Sequence, residues 1–195
     1  KHNVQNSLLA ASIGLELDLP FKSIQDAMAS FSGVYRRFEL KGEAAGITVY
    51  DDYAHHPTEI MATLEGFKDS VNRRIVALFQ PHLFSRTRDL YEKFGKAFFS
   101  CDCLILAPIY PAREQPIAGV NSKLIADVAI QSGHHQVHTI AENAAIVKDT
   151  MALLEPGDIL ITIGAGNIWQ YGEEILAELK KSVDTNSKAK KSSNL

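Results

Sequence analysis

Two short apolar runs, IVALF at 75–79 and ILITI at 159–163, constrain the fold more tightly than any other feature of the chain. A half-exposed strand would alternate apolar and polar residues, and neither run does. Both are rich in branched residues and bounded by polar or turn-forming ones, which fits strands buried on two faces. A parallel sheet covered by helices on each side provides that environment.

The segments around these runs follow the same logic. After Arg37, strand-like and helix-like stretches alternate. Strands are expected at 38–41 and 47–51, with a turn at 42–46 between them. Helix 57–71 then precedes strand 74–79, and helix 87–99 precedes strand 103–107. Helix 122–131 precedes strand 137–140, helix 141–154 precedes strand 158–163, and helix 168–181 closes the series. The expected fold class is α/β: a parallel-sheet, Rossmann-like domain over 37–182, with a disordered polar tail over 183–195. Residues 1–36 differ in texture. Leu8, Leu9, Ala11, Ile13 and Leu15 fall at helical spacing until Asp18-Leu19-Pro20. A second helix over 21–31 presents Ile24, Ala27, Met28 and Phe31. Two helices without a sheet make a poor domain, so this segment is expected to complete a domain that is mostly absent. The missing initiator Met points to a chain that is the later part of something longer.

Composition narrows the function classes. Of the 195 residues, 46% are hydrophobic and the formal net charge is -3. No basic stripe is present, which argues against nucleic-acid binding. The Lys188-Ala189-Lys190-Lys191 run reads as solvated tail. No apolar stretch reaches membrane-spanning length and no signal peptide is visible, so a cytoplasmic protein without a membrane partner is expected. The two cysteines, Cys101 and Cys103, read as buried reduced thiols on one strand face.

Ligands of open parallel sheets bind beyond the carboxyl ends of the strands. Those ends hold Asp51, Asp52, Tyr53, His55 and His56; Gln80, His82, Arg86 and Arg88; Tyr110, Arg113 and Glu114; and the turn Gly164-Ala165-Gly166-Asn167. Each piece has a plainer reading. The acids could cap a helix, although Pro57-Thr58-Glu59 already serves as a start. Arg86 and Arg88 could pair with Asp89 and Glu92. His55 and His56 are adjacent, a poor arrangement for two ligands of one metal ion. The turn GAGN lacks the third glycine of a dinucleotide fingerprint, Trp169 holding that place. Convergence on one edge favours a site. Arginines there suit a carboxylate or phosphate, and a carboxylate pair suits a cation or a ribose hydroxyl.

Together HNVQN at 2–6, GVYRRFE at 33–39, DDYAHHPTEI at 51–60, FQPHLFSRTRDL at 79–90, IYPAREQPIAGVNS at 109–122 and GAGNIWQ at 164–170 resemble the Mur ligase family, over 2–179. The resemblance implies that 1–36 are the last helices of a central ATP-binding domain and 37–182 an amino-acid-binding C-terminal domain. It implies ATP contacts from Asn3, Asn6, Arg37 and Asp52. It implies substrate contacts from Tyr53, His55, His82, Arg86 and Arg88, with Arg86 holding an amino-acid carboxylate. Leu83 departs from the pattern, standing where some members carry a second arginine, and Arg88 is the candidate to compensate. The pattern is nearest to the member that joins L-alanine to UDP-N-acetylmuramate, using ATP and Mg2+. The magnesium ligands, the phosphate loop and its lysine have no counterpart here, so the chain alone is expected to be inactive. Three alternatives stand beside this reading: the family's murein tripeptide recycling ligase, a nucleotide-binding module without catalysis, and, least favoured by the ligand spacing, a metal hydrolase.

Overall fold

The computed structural model describes residues 2–31 and 33–192, with side chains described for 4–31 and 33–183. The chain divides into two compact units, 1–34 and 35–195, two residues before the expected boundary.

The first unit is a helix pair, α1 (His2–Glu16) and α2 (Phe21–Ser30). The two approach closely at Gly14, where an added Cβ would lie 2.8 Å from Ile24 Cδ1. Ile24 is buried, whereas Leu8, Leu9, Ile13, Phe21 and Phe31 are exposed.

The second unit contains β1 (Glu39–Ala44), β2 (Ile47–Asp52), α3 (Pro57–Ser70), β3 (Ile75–Phe79), α4 (Phe84–Gly95) and β4 (Cys103–Leu106). It continues with α5 (Lys123–Gln131), β5 (Val137–Thr139), a 3-10 turn (Asn143–Ala145), α6 (Ile146–Met151), β6 (Ile159–Ile163) and α7 (Ile168–Ser192). The sheet order is β1-β2-β6-β3-β4-β5. Every pairing is parallel except β1 with β2, a hairpin at one edge whose register shifts between Leu40 and Gly42.

Burial on both faces explains the unbroken apolar strands. Ala77, Phe79, Leu104, Leu106, Ile161 and Ile163 face α3, α4 and α5, packing with Leu64, Phe98 and Ile125. Val76, Leu78, Ile105 and Leu160 face the other layer, with Ile146 of α6 and Ile175 and Leu179 of α7. Truncating a fully buried ring such as Phe79 would cost about 3–5 kcal/mol.

Several expected bounds shift. Helix α4 begins at Phe84, not 87, so Arg86 lies inside its first turn rather than before it. The helix expected over 141–154 is a 3-10 turn followed by the short α6. Helix α7 runs to Ser192, past the 181 expected, through much of the segment read as tail. Cys101 precedes β4 instead of lying in it, so the alternation argument does not apply: Cys101 and Cys103 enter opposite core layers. Both are free and buried.

Candidate functional site

The carboxyl ends of β2, β6 and β3 are neighbours, and parallel register sets Asp52 and Phe79 on either side of Ile163. The Asp51–Asp52 pair that ends β2 is buried. Asp51 receives Arg36 Nε at 2.7 Å and Thr162 Oγ1 at 2.7 Å. The same guanidinium donates to Gly164 O at 2.6 Å and Gly166 O at 3.2 Å. It also lies 4.9 Å from the Tyr53 ring centroid. One cation therefore joins the strap before β1 to the glycine turn after β6.

Asp52 holds the other side of the strap. Its carboxylate accepts Phe38 N at 3.0 Å and Ala54 N at 2.8 Å. Burial pushes its pKa up, opposed by these amides, by the charge of Arg37 and by the Thr63 hydroxyl. The strap needs such support because Arg36 and Phe38 have positive φ, 58° and 48°, where a side chain crowds its own backbone. Neither acid caps α3. His56 is its N-cap, and Glu59 accepts His55 N at 3.0 Å and His56 N at 3.2 Å. Arg37 is exposed.

Beyond β3 the chain turns sharply. Leu83 has φ 74°, donates its N–H to Tyr110 O at 2.9 Å and accepts Thr87 Oγ1 at 2.9 Å. His82 stacks on Tyr110, ring centroids 5.7 Å apart, and faces His55 at 6.4 Å. The His55 ring meets Tyr53 edge-on at 5.4 Å, and its Nδ1 lies 3.0 Å from Tyr53 O. Burial lowers the basicity of His82, helped by the charges of Arg86 and His55 and opposed by Glu114. His82 Nδ1 and Arg86 Nη1 are buried polar atoms with no hydrogen-bond partner among the described residues.

The third loop closes on this group. Glu114 accepts Ser85 N at 2.9 Å and the Ser85 hydroxyl, at the start of α4. The Ser85 hydroxyl and then its amide hold the Glu114 carboxyl below its ordinary range. Gln80 donates Nε2 to Asn167 Oδ1 at 3.1 Å. An added Cβ at Gly166 would lie 2.5 Å from Gln80 Oε1 and 2.6 Å from Tyr110 Cγ, so the glycine turn sits where no larger residue fits.

The structure thus gathers Tyr53, His55, His82 and Arg86 at one edge, and places Asp52 under the strap beside them. Arg88 is exposed and forks onto Asp89, Nε to Oδ1 at 2.7 Å and Nη2 to Oδ2 at 3.2 Å. Asn6 is exposed on α1 in the other unit, and the Asn3 side chain lies outside the described residues. Sequence reasoning gives Arg36 no role, since nothing in Arg36-Arg37 tells which arginine turns inward. It places Tyr110, Glu114 and Gln80 at the edge without a task for any of them. Among the described residues no group of three or more His, Cys, Asp or Glu is arranged to hold a metal ion such as Mg2+. None of the helices among the described residues is long and apolar enough to cross a membrane.

The second unit is thus a mainly parallel α/β domain with basic and aromatic groups gathered at its carboxyl edge. Residues 36–166 match the family described as Mur ligase, glutamate ligase domain, and the chain belongs to the Mur ligase family. It is 48% identical over 182 residues to the UDP-N-acetylmuramate--L-alanine ligase of Geobacter sulfurreducens, covering 93% of this chain and 39% of that protein. The enzyme of the same name from Desulfotalea psychrophila is 50% identical over 175 residues, covering 89% of this chain and 38% of that protein. The crystal structure of UDP-N-acetylmuramate-alanine ligase from Thermotoga maritima superposes with a TM-score of 0.75 at 25% identity, over 93% of this chain and 38% of that one. The chain therefore spans about two fifths of the length of the curated relatives it matches.

Proposed function

We propose that this chain is the amino-acid-receiving part of an ATP-dependent ligase that joins L-alanine to the carboxylate of UDP-N-acetylmuramate, in the cytoplasm, during peptidoglycan synthesis. In this reading residues 1–36 belong to an ATP-binding domain and 37–182 to the receiving domain. The observation that carries the reading is Arg86 Nη1, a buried donor left without a partner among the described residues, at the carboxyl edge of the sheet. An unmet buried donor costs about 1–3 kcal/mol. A ligand carboxylate arriving there would satisfy it with a charge-assisted hydrogen bond. Similarity to relatives named for L-alanine supports the choice of amino acid.

The reaction divides between domains. The muramate carboxylate attacks the γ-phosphate of ATP, giving an acyl phosphate and releasing ADP. The alanine amine then attacks the acyl carbon and phosphate leaves. Phosphoryl transfer needs chiefly positioning and charge neutralisation. The exposed Arg37 fits a role against phosphate. Arg86 fixes the alanine carboxylate and so the direction of the amine. His82, made less basic by burial and by the charges of Arg86 and His55, lines the same edge beside Arg86. Closure of this edge would keep water from the acyl phosphate.

The test is steady-state kinetics of the complete ligase chain carrying this segment, varying each substrate in turn. Arg86→Lys keeps the charge and loses the planar fork. The expected loss is roughly 10–150-fold in kcat/KM for alanine, with the KM for ATP unchanged. A raised KM for ATP with normal alanine kinetics would show that Arg86 faces the nucleotide.

A further inference from the structure

The topology opens two crevices at the carboxyl edge, one on each side of β6. The chain leaves β2 and β3 for the layer of α3, α4 and α5, but leaves β6 for the layer of α6 and α7. In the sheet β6 lies between β2 and β3. Loops that part to opposite faces open the sheet end between them, and ligands of such sheets bind there. The crevice between β2 and β6 is filled from within the chain. Arg36 spans it, donating to Asp51 on one side and to Gly164 O and Gly166 O on the other. That leaves the crevice between β6 and β3.

Gln80, Gly166 and Tyr110 meet in this second crevice. Gln80 continues β3, donating its N–H to Ile163 O at 3.0 Å, and is 1% exposed. Its Nε2 reaches Asn167, but its Oε1 has no hydrogen-bond partner among the described residues. A buried acceptor without a donor is costly, and a donor from outside the fold, such as an amino-acid ammonium group, would satisfy it. Gly166 lies beside that oxygen, 2.5 Å from it at an added Cβ. The same Cβ would lie 2.6 Å from Tyr110 Cγ and 2.9 Å from Tyr110 Cβ, so the aromatic side chain already touches the glycine turn. Tyr110 is held in this contact. Its N–H donates to Pro81 O at 2.8 Å and its carbonyl accepts Leu83 N at 2.9 Å, forming a parallel bridge beyond the ends of β3 and β4. Its ring lies at 19° to that of His82, with centroids 5.7 Å apart. A ring so placed sets a firm limit on volume, because moving it means breaking the bridge or the stack.

We propose that Tyr110 is a specificity-determining residue: its ring closes the crevice between β6 and β3, so that the amino acid received there carries a side chain no larger than a methyl group. The proposal rests on the alanine-ligase reading for the identity of the substrate, though the packing of Tyr110 against Gly166 does not. A wall of this kind discriminates by bulk, and one methylene more or less changes kcat/KM by about 10–200-fold. Gly166 forms the facing side, where the lack of a side chain supplies the room that remains.

The test is competition between substrates. The complete ligase chain carrying this segment is given L-alanine and L-α-aminobutyrate together, and both products are quantified. Because both form in one reaction, their ratio does not depend on how much of a variant is folded. Tyr110→Ala is expected to raise the aminobutyrate-to-alanine ratio roughly tenfold or more, and Tyr110→Phe, which keeps the ring, to leave it within about twofold of the parent. Where Tyr110→Ala gives no active protein, Tyr110→Leu takes its place, with a rise in the same direction. Gly166→Ala narrows the crevice from the facing side, so with glycine and L-alanine in competition it should lower the alanine-to-glycine ratio. An aminobutyrate ratio that stays at the parent value without the ring overturns the proposal, as does one that rises equally in Tyr110→Phe. An alanine-to-glycine ratio unmoved by Gly166→Ala overturns it as well. A parent ligase that joins no alanine is a different failure: it sinks the alanine reading, and the proposal with it.

Discussion

The buried pair Arg36–Asp51 offers the sharpest test of how the strap is held. Its side chains are 9% and 1% exposed, and the N–O distance is 2.7 Å. Arg36→Met removes the cation and leaves Asp51 with the Thr162 hydroxyl alone among the partners described, while Gly164 O and Gly166 O each lose a guanidinium donor. Breaking one side of a buried pair costs about 3–5 kcal/mol, because a charge is left uncompensated. With a urea slope of about 2 kcal/mol/M, the unfolding midpoint should fall by roughly 1.5–2.5 M. The probe is Trp169, the sole tryptophan, which lies in the second unit and so reports that unit's unfolding. Replacing both partners, Arg36→Met with Asp51→Leu, removes the orphaned charge and should recover part of the loss, since apolar substitutes for a buried pair are often neutral. The double variant would still lack donors for the two carbonyls, so recovery should be incomplete. A midpoint shift below about 0.5 M for Arg36→Met, or a double variant as unstable as the sum of the singles, would refute the view that the pair couples strap and turn.

Three further outcomes are expected. Gly166→Ala should destabilise by about 1–3 kcal/mol, read from the same urea curve, because its Cβ would sit 2.5 Å from Gln80 Oε1 and 2.6 Å from Tyr110 Cγ. Burial holds both His82 and His134 below their ordinary 6.5. The unfolded chain therefore binds more protons as pH falls through that value. Stability is full above about pH 6.5 and declines below it. The urea midpoint should be lower at about pH 6 than at about pH 7.5, and His134→Leu should flatten the difference. The 195-residue chain should release phosphate from ATP and Mg2+ at background rate, since no G-x-x-x-x-G-K-[ST] loop occurs in it; release above background that Asp52→Ala abolishes would count against this division of labour between domains.

The parallel sheet was legible because its strands are apolar on both faces, a demand that leaves its mark in every residue of IVALF and ILITI. The start of α4 was not legible, and the reason is physical. Its cap is Glu114, almost thirty residues further along the chain, and its N-cap is a leucine with positive φ, so the local signals of a helix start are missing. The edge hairpin misleads in the same way: Gly42 reads as a turn, yet it sits within β1 where the register shifts. The acidic pair shows the deeper limit. Sequence marks Asp51 and Asp52 as titratable groups at the right edge, and that placement holds. It says nothing of their partners, because Arg36 reaches carbonyls 128 and 130 residues away and Asp51 reaches a hydroxyl 111 residues away. For Asp51, these long-range hydrogen bonds make a fastener of what in the sequence looks like ligand chemistry. Among the described residues, Arg86 Nη1 and His82 Nδ1 are polar atoms at this edge that the fold leaves unmet. Which polar atoms remain unmet is a property of the packed whole. A local reading of sequence can name the candidates at an edge, but the division between fastener and receiver emerges only when every donor has been traced to its acceptor.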